Sequence, residues 1–99
     1  MKTVQEIQSV LSKHKDGLMK RYKIKELGIF GSYVKGEQKE TSDIDILVEF
    51  EEDARLGLLK FINLENYLSE ILGVKVDLVM KSTLKPRIGK HILKETVYL

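Results

Sequence analysis

A chain of 99 residues lies near the lower limit for one self-sufficient core, and nothing in its composition points to a second. Hydrophobic residues at 42% and charged residues at 32% exclude a disordered tract and a membrane-embedded protein, while a formal net charge of +2 is too small to argue for direct nucleic-acid binding. The absence of cysteine excludes a disulfide framework and a thiolate metal site, so any metal would be held by oxygen or imidazole, and oxygen ligands suit hard cations such as Mg²⁺.

The opening MKTVQEIQSV contains no apolar stretch of signal-peptide or membrane-span length, which makes the cytoplasm the expected compartment. Val4, Ile7, Leu11, Leu18 and Tyr22 recur at helical spacing and predict a helix over roughly residues 3–22, with Asp16-Gly17 as a candidate interruption. The basic run from Lys13 to Lys25 reads as a solvated helix face. Lys25 to Phe30 sets Leu27 and Ile29 against Glu26 and Gly28, then runs into Gly31-Ser32, the pattern of a strand feeding a tight turn.

Beyond the polar stretch EQKETS, Ile44, Ile46, Val48 and Phe50 alternate with Asp43, Asp45, Leu47 and Glu49, which predicts a second strand with one apolar face. Leu58, Phe61, Ile62, Leu64, Leu68, Ile71 and Leu72 follow helical spacing over residues 56–72, and Gly73 is a stop signal. Val74, Val76, Leu78 and Met80 alternate as a third strand. Pro86 suits the start of a last helix, with Ile88, Ile92 and Val97 on its buried side. With no repeat and no linker, the expectation is one domain over residues 1–99. Its fold is α/β in the α+β sense: a small mixed sheet of three or four strands with flanking helices.

The chemistry concentrates between Gly31 and Val48. Asp43 and Asp45, two apart on a strand, project to one face, where two carboxylates repel unless a divalent cation bridges them. Asp77 sits between Val76 and Leu78 in the third strand, where a lone charge is expensive unless paired or bound to metal. If the third strand lies beside the second, Asp77 completes a set of three carboxylates, enough to hold two Mg²⁺ ions about 4 Å apart. Gly31 allows close backbone approach, so the turn can direct backbone N–H groups and the Ser32 hydroxyl toward phosphate oxygens. His14 and His91 have no ligand spacing, Lys81 and Arg87 read as solvated, and Tyr33, Tyr67 and Tyr98 read as packing residues.

Taken together, Phe30-Gly31-Ser32-Tyr33, Lys35-Gly36 and Ser42-Asp43-Ile44-Asp45-Ile46-Leu47-Val48 resemble the signature of the DNA polymerase β-like nucleotidyltransferase superfamily, most closely its minimal nucleotidyltransferase branch. The resemblance extends to Val76-Asp77-Leu78 and the Glu95-Thr96-Val97-Tyr98 ending. It implies that Asp43 and Asp45 bind both Mg²⁺ ions, that Asp77 binds the catalytic ion and helps deprotonate an acceptor hydroxyl, and that Gly31 and Ser32 hold the triphosphate of ATP. Where members of the branch often carry arginine, this chain has Lys35, a point charge without a bidentate fork. The branch also implies a partner, a helical HEPN-type toxin whose tyrosine receives AMP. Two other readings stand beside it: a non-catalytic module that neutralises its partner by docking alone, and nucleotide or RNA binding without turnover, which draws only on the basic run. Three mutually repelling carboxylates favour catalysis, because a docking scaffold has no use for them.

Overall fold

The computed structural model describes residues 2–99. Helix α1, Val4–Tyr22, begins with a capping box, in which Thr3 Oγ1 accepts the Glu6 N–H and the Glu6 carboxylate accepts the Thr3 N–H. Ile7, Leu11, Leu18 and Tyr22 are its buried residues, so the predicted stripe is the one that packs. Gly17 does not interrupt the helix. A glycine costs a helix interior about 1 kcal/mol, and burial of Leu18 and Tyr22 on the following turn outweighs it.

Strand β1 is Ile24–Phe30, α2 is the single turn Ser32–Lys35, and β2 is Ile44–Phe50. Then come α3, Leu58–Leu72, and β3, Val76–Met80, followed by a 3₁₀ turn at Lys81–Thr83. Helix α4, Pro86–Glu95, takes Pro86 in its first turn as expected, and β4, Val97–Tyr98, follows. The strands form one mixed sheet in the order β3-β2-β1-β4, with β1 antiparallel to both neighbours and β2 parallel to β3. Helix α3 is the crossover that a parallel pair requires. One hydrophobic cluster joins Ile7 and Leu11 of α1 and Leu64, Leu68 and Leu72 of α3 to Leu27, Ile29, Ile46, Val48 and Leu78 of the sheet. Among the described residues no helix is long and apolar enough to cross a membrane.

Three details differ from the sequence reading. Leu47 alternates with Ile46 and Val48 yet is as buried as they are, so β2 is covered on both faces at its centre. Helix α3 buries Leu64, Leu68 and Leu72, whereas Leu58 is 74% and Ile62 41% exposed. Helical spacing marks a stripe, but neighbours cover only its later turns. In α4 the expected buried face is not formed either: Ile88 is 58% exposed, and Gly89 alone is buried, against Leu84. Val97 leaves the helix altogether because Thr96 takes extended backbone, and the chain then pairs with β1 through Gly28↔Tyr98 and Ile29↔Val97.

That last pairing depends on the missing side chain of Gly28. A Cβ there would collide with the Thr96 methyl and lie 3.2 Å from the Tyr98 ring and 3.3 Å from the Val97 carbonyl oxygen. Gly28→Ala is therefore expected to destabilise the protein by about 1–3 kcal/mol through overpacking. Denaturant melts read the loss, and hydrogen exchange should show Leu99, whose N–H bonds the Leu27 carbonyl, losing protection first.

Candidate active site

The parallel register of β2 on β3 pairs Asp45 with Asp77, so these two carboxylates stand side by side on one face of the sheet, opposite the face that packs on α1 and α3. Asp43 precedes β2 by one residue, and its negative charge is felt at Asp45. A buried tyrosine helps to hold the approach to Asp43: Tyr33 of α2 donates its hydroxyl to the Ser42 carbonyl at 3.4 Å. The Ser42 hydroxyl oxygen in turn accepts the Lys39 N–H at 2.8 Å, closing the turn that leads into β2. From sequence alone Tyr33 reads as a packing residue. It packs, and it also anchors this turn.

Gly31 lies across the sheet from Asp77, at the end of β1, and adopts φ 80°, ψ −150°, a conformation open essentially to glycine. A Cβ at this position would overlap the Asp45 carboxylate itself. The backbone of the Gly31-Ser32 turn and the Asp45 side chain are thus in contact, and Ser32 opens α2 directly beside them. Lys35, at the end of α2, forms an ion pair with Glu95 at 3.5 Å. Lys35, His91, Lys94 and Glu95 line an open cavity of about 490 Å³.

Electrostatics set the aspartates apart from other charges on the sheet. Burial, and after it the negative charges of Asp77, Asp43 and Glu95 in that order, push the Asp45 carboxyl up from 3.8 to about 6. Among the described residues, no lysine or arginine forms an ion pair with Asp43, Asp45 or Asp77. Another cross-strand pair of acids, Glu26 and Glu49, is handled differently: the Lys81 ammonium sits 3.6 Å from each. Partial burial pulls the Lys81 pKa down, but the two carboxylates, with Tyr98, more than reverse this and raise it. Lys81 is therefore committed to a structural neutralisation and is not the solvated side chain that the sequence suggested.

As donors the three aspartates suit a hard cation, since they offer oxygen alone, carry repelling charges and, among the described residues, have no basic partner. Among the described residues, no three acidic or imidazole groups are already gathered as a metal cage. Of the other candidates, Arg87 is exposed in the first turn of α4, and His14 meets the Tyr67 hydroxyl at 3.4 Å with its ring edge-on, a packing role. His91 shares the cavity of Lys35 despite its distance in sequence. Glu95 was missed as a member of this neighbourhood. Its only signal in the sequence was the family-like ending, because it reaches Asp45 and Lys35 solely through the turn from α4 into β4.

The raised Asp45 pKa has a definite sign. An acid whose folded pKa exceeds its unfolded value destabilises the fold progressively as pH rises from about 4 to about 6, and the penalty is fully present above that. Asp45→Asn should remove it. Without metal, the variant is expected to exceed the parent in stability at neutral pH by on the order of 1 kcal/mol, after discounting for a half-exposed group, and to match it near pH 3.5. Thermal melts across this range check the expectation. A variant weaker than the parent at neutral pH would make Asp45 a structural group.

Comparison with known proteins places this geometry. The profile of the Nucleotidyltransferase domain family matches residues 11–99. Protein adenylyltransferase MntA of Thermococcus cleftensis is 57% identical over 99 residues, covering 100% of this chain and 98% of that relative. A solved structure provisionally assigned as a minimal nucleotidyltransferase superposes with a TM-score of 0.75 at 34% identity, covering 94% of this chain and 95% of the other. A chain of a toxin-antitoxin crystal structure with AMP-PNP superposes with a TM-score of 0.69 at 25% identity, covering 87% of this chain and 69% of that one. A profile match over most of the chain, together with a relative aligned from end to end, places this chain in the nucleotidyltransferase family, in its minimal branch.

Proposed function

We propose that this nucleotidyltransferase moves AMP from ATP onto a tyrosine hydroxyl of a HEPN-type partner, silencing that partner and so acting as an antitoxin in the cytoplasm. Residues 1–99 would act as one domain. The observation that carries this reading is the row in which Asp77 faces Asp45 across parallel strands and the Gly31 backbone lies against the Asp45 carboxylate. It puts the Asp45 carboxylate against the turn suited to phosphate binding, with Asp77 on the neighbouring strand. Two relatives support the donor and the setting, one named a protein adenylyltransferase and the other a toxin-antitoxin structure with AMP-PNP, an analogue of ATP.

In this reading Asp43 and Asp45 would hold both Mg²⁺ ions, and Asp77 would hold the catalytic one with them. The bound ions would supply positive charge against the triphosphate and against the charge that develops at the α-phosphorus. Gly31 and Ser32 orient the phosphates by backbone N–H groups and the hydroxyl, and Lys35 exchanges Glu95 for a phosphate oxygen. Asp77 accepts the acceptor's proton as the new oxygen–phosphorus bond forms and the bond to pyrophosphate breaks in line with it. The work of the protein is position and charge.

Incubation with ATP labelled at the α-phosphate, Mg²⁺ and the product of the neighbouring gene is expected to place label on that product. Asp43→Asn and Asp45→Asn should lower transfer at least about 100-fold while leaving the fold intact. Parental transfer by either variant would overturn the assignment, and full neutralisation of the partner by an inactive variant would favour docking alone. Calorimetry should also show ATP binding at least about tenfold more tightly with Mg²⁺ than with chelator, since the ion screens carboxylates and phosphates together.

A further inference from the structure

At the end of the sheet opposite the aspartates, where β1 begins and β2 ends, a cavity of about 370 Å³ is lined by Lys20, Arg21, Lys23, Arg55, Lys60 and Asp53. Five cations thus share one concave surface with one carboxylate. Asp53 is spoken for, paired with Lys23 at 2.9 Å, and among the described residues Lys20, Arg21, Arg55 and Lys60 have no acidic partner.

Fold stability accounts for only part of this cluster. Lys20 and Arg21 occupy the last turn of α1, where the helix dipole favours cations. Arg55 and Lys60 flank the start of α3, where the same effect disfavours them, and that first turn contains no acid. Arg21 and Lys60 both lie against the Tyr22 ring, at 5.5 and 5.9 Å from its centroid, which holds two flexible side chains at the cavity. Residues distant in sequence are therefore gathered, oriented and left without internal compensation. A cleft lined by one sign of charge focuses its field on a ligand of the other.

We propose that this cleft is a second binding site, for a small anion with linked phosphates, separate from the aspartate site. The linked phosphates could belong to inorganic polyphosphate or to a nucleoside polyphosphate, which share the chemistry the cleft reads. A single-stranded nucleic acid fits less well, because it needs exposed aromatic faces for its bases and Tyr22, the one ring here, is only 2% exposed. The volume also falls within the range of small-molecule sites.

The test titrates tripolyphosphate into the full chain in the presence of chelator and follows backbone amide signals. Signals of residues 20–23 and 53–60 are expected to move. Joint substitution Arg55→Gln and Lys60→Gln should weaken binding at least about tenfold, as loss of charge-assisted hydrogen bonds implies, whereas Asp45→Asn leaves it unchanged. Both positions are exposed, so the variants should fold, and Lys20→Gln provides an independent third. ATP under chelation distinguishes the sources: equal affinity means that phosphates alone are read, and tighter binding means that a nucleoside contributes. The proposal fails if the shifts centre on residues 31–36, if the variants bind as the parent does, or if polyglutamate or a short single-stranded RNA binds more tightly than tripolyphosphate.

Discussion

The structure turns on one half-buried carboxylate, that of Asp45, set near two others with no basic partner among the described residues. Burial alone raises its pKa, and Asp77, Asp43 and Glu95 raise it further. Elsewhere in the fold such a conflict is resolved. Glu26 and Glu49 face each other on neighbouring strands, and Lys81 settles between them. At Asp45 and Asp77 the same cross-strand problem is left open, and the nearby cation, Lys35, is drawn to Glu95 instead. Among the described residues the fold thus neutralises one acidic pair and leaves the other unneutralised, and the proposed function gives the second pair to a cation from outside.

The surrounding elements serve that arrangement. The crossover through α3 makes β3 parallel to β2 and so brings Asp77 opposite Asp45. Gly31 gives up its side chain and takes a positive φ so that the turn after β1 can lie against the carboxylate. Tyr33 ties α2 to the turn before Asp43. Strand β4 closes against Gly28 and thereby delivers Glu95 to the same end of the sheet.

What was legible in the sequence was local. The alternation around Asp43, Asp45 and Asp77, the helical stripes of α1 and α3, the glycine after β1 and Pro86 opening α4 are all set by neighbours within a few residues, and the structure contains them. The motif with its resemblance led directly to the family. What escaped depends on partners far along the chain. Whether Leu58, Ile62 and Ile88 are covered is decided by what lies opposite, and their periodicity cannot report it. The pairing of Val97 and Tyr98 with β1, and through it the position of Glu95, requires knowing that Gly28 has room above it. Lys81 resembled a free lysine until two strands supplied its acids, and half of a basic run became a cleft only when Arg55 and Lys60 joined it.

In the proposed function Asp43, Asp45 and Asp77 together receive divalent cation and nucleotide beside the Gly31-Ser32 turn. The most direct measurement adds Mn²⁺, as a paramagnetic substitute for Mg²⁺, to the protein with a non-hydrolysable ATP analogue and maps the broadening of backbone amide signals. Broadening centred on residues 31–32, 43–45 and 77, and abolished by Asp45→Asn, is the expected result. Broadening that centres on Glu26 and Glu49 or on Asp53, or that survives the substitution, would contradict it.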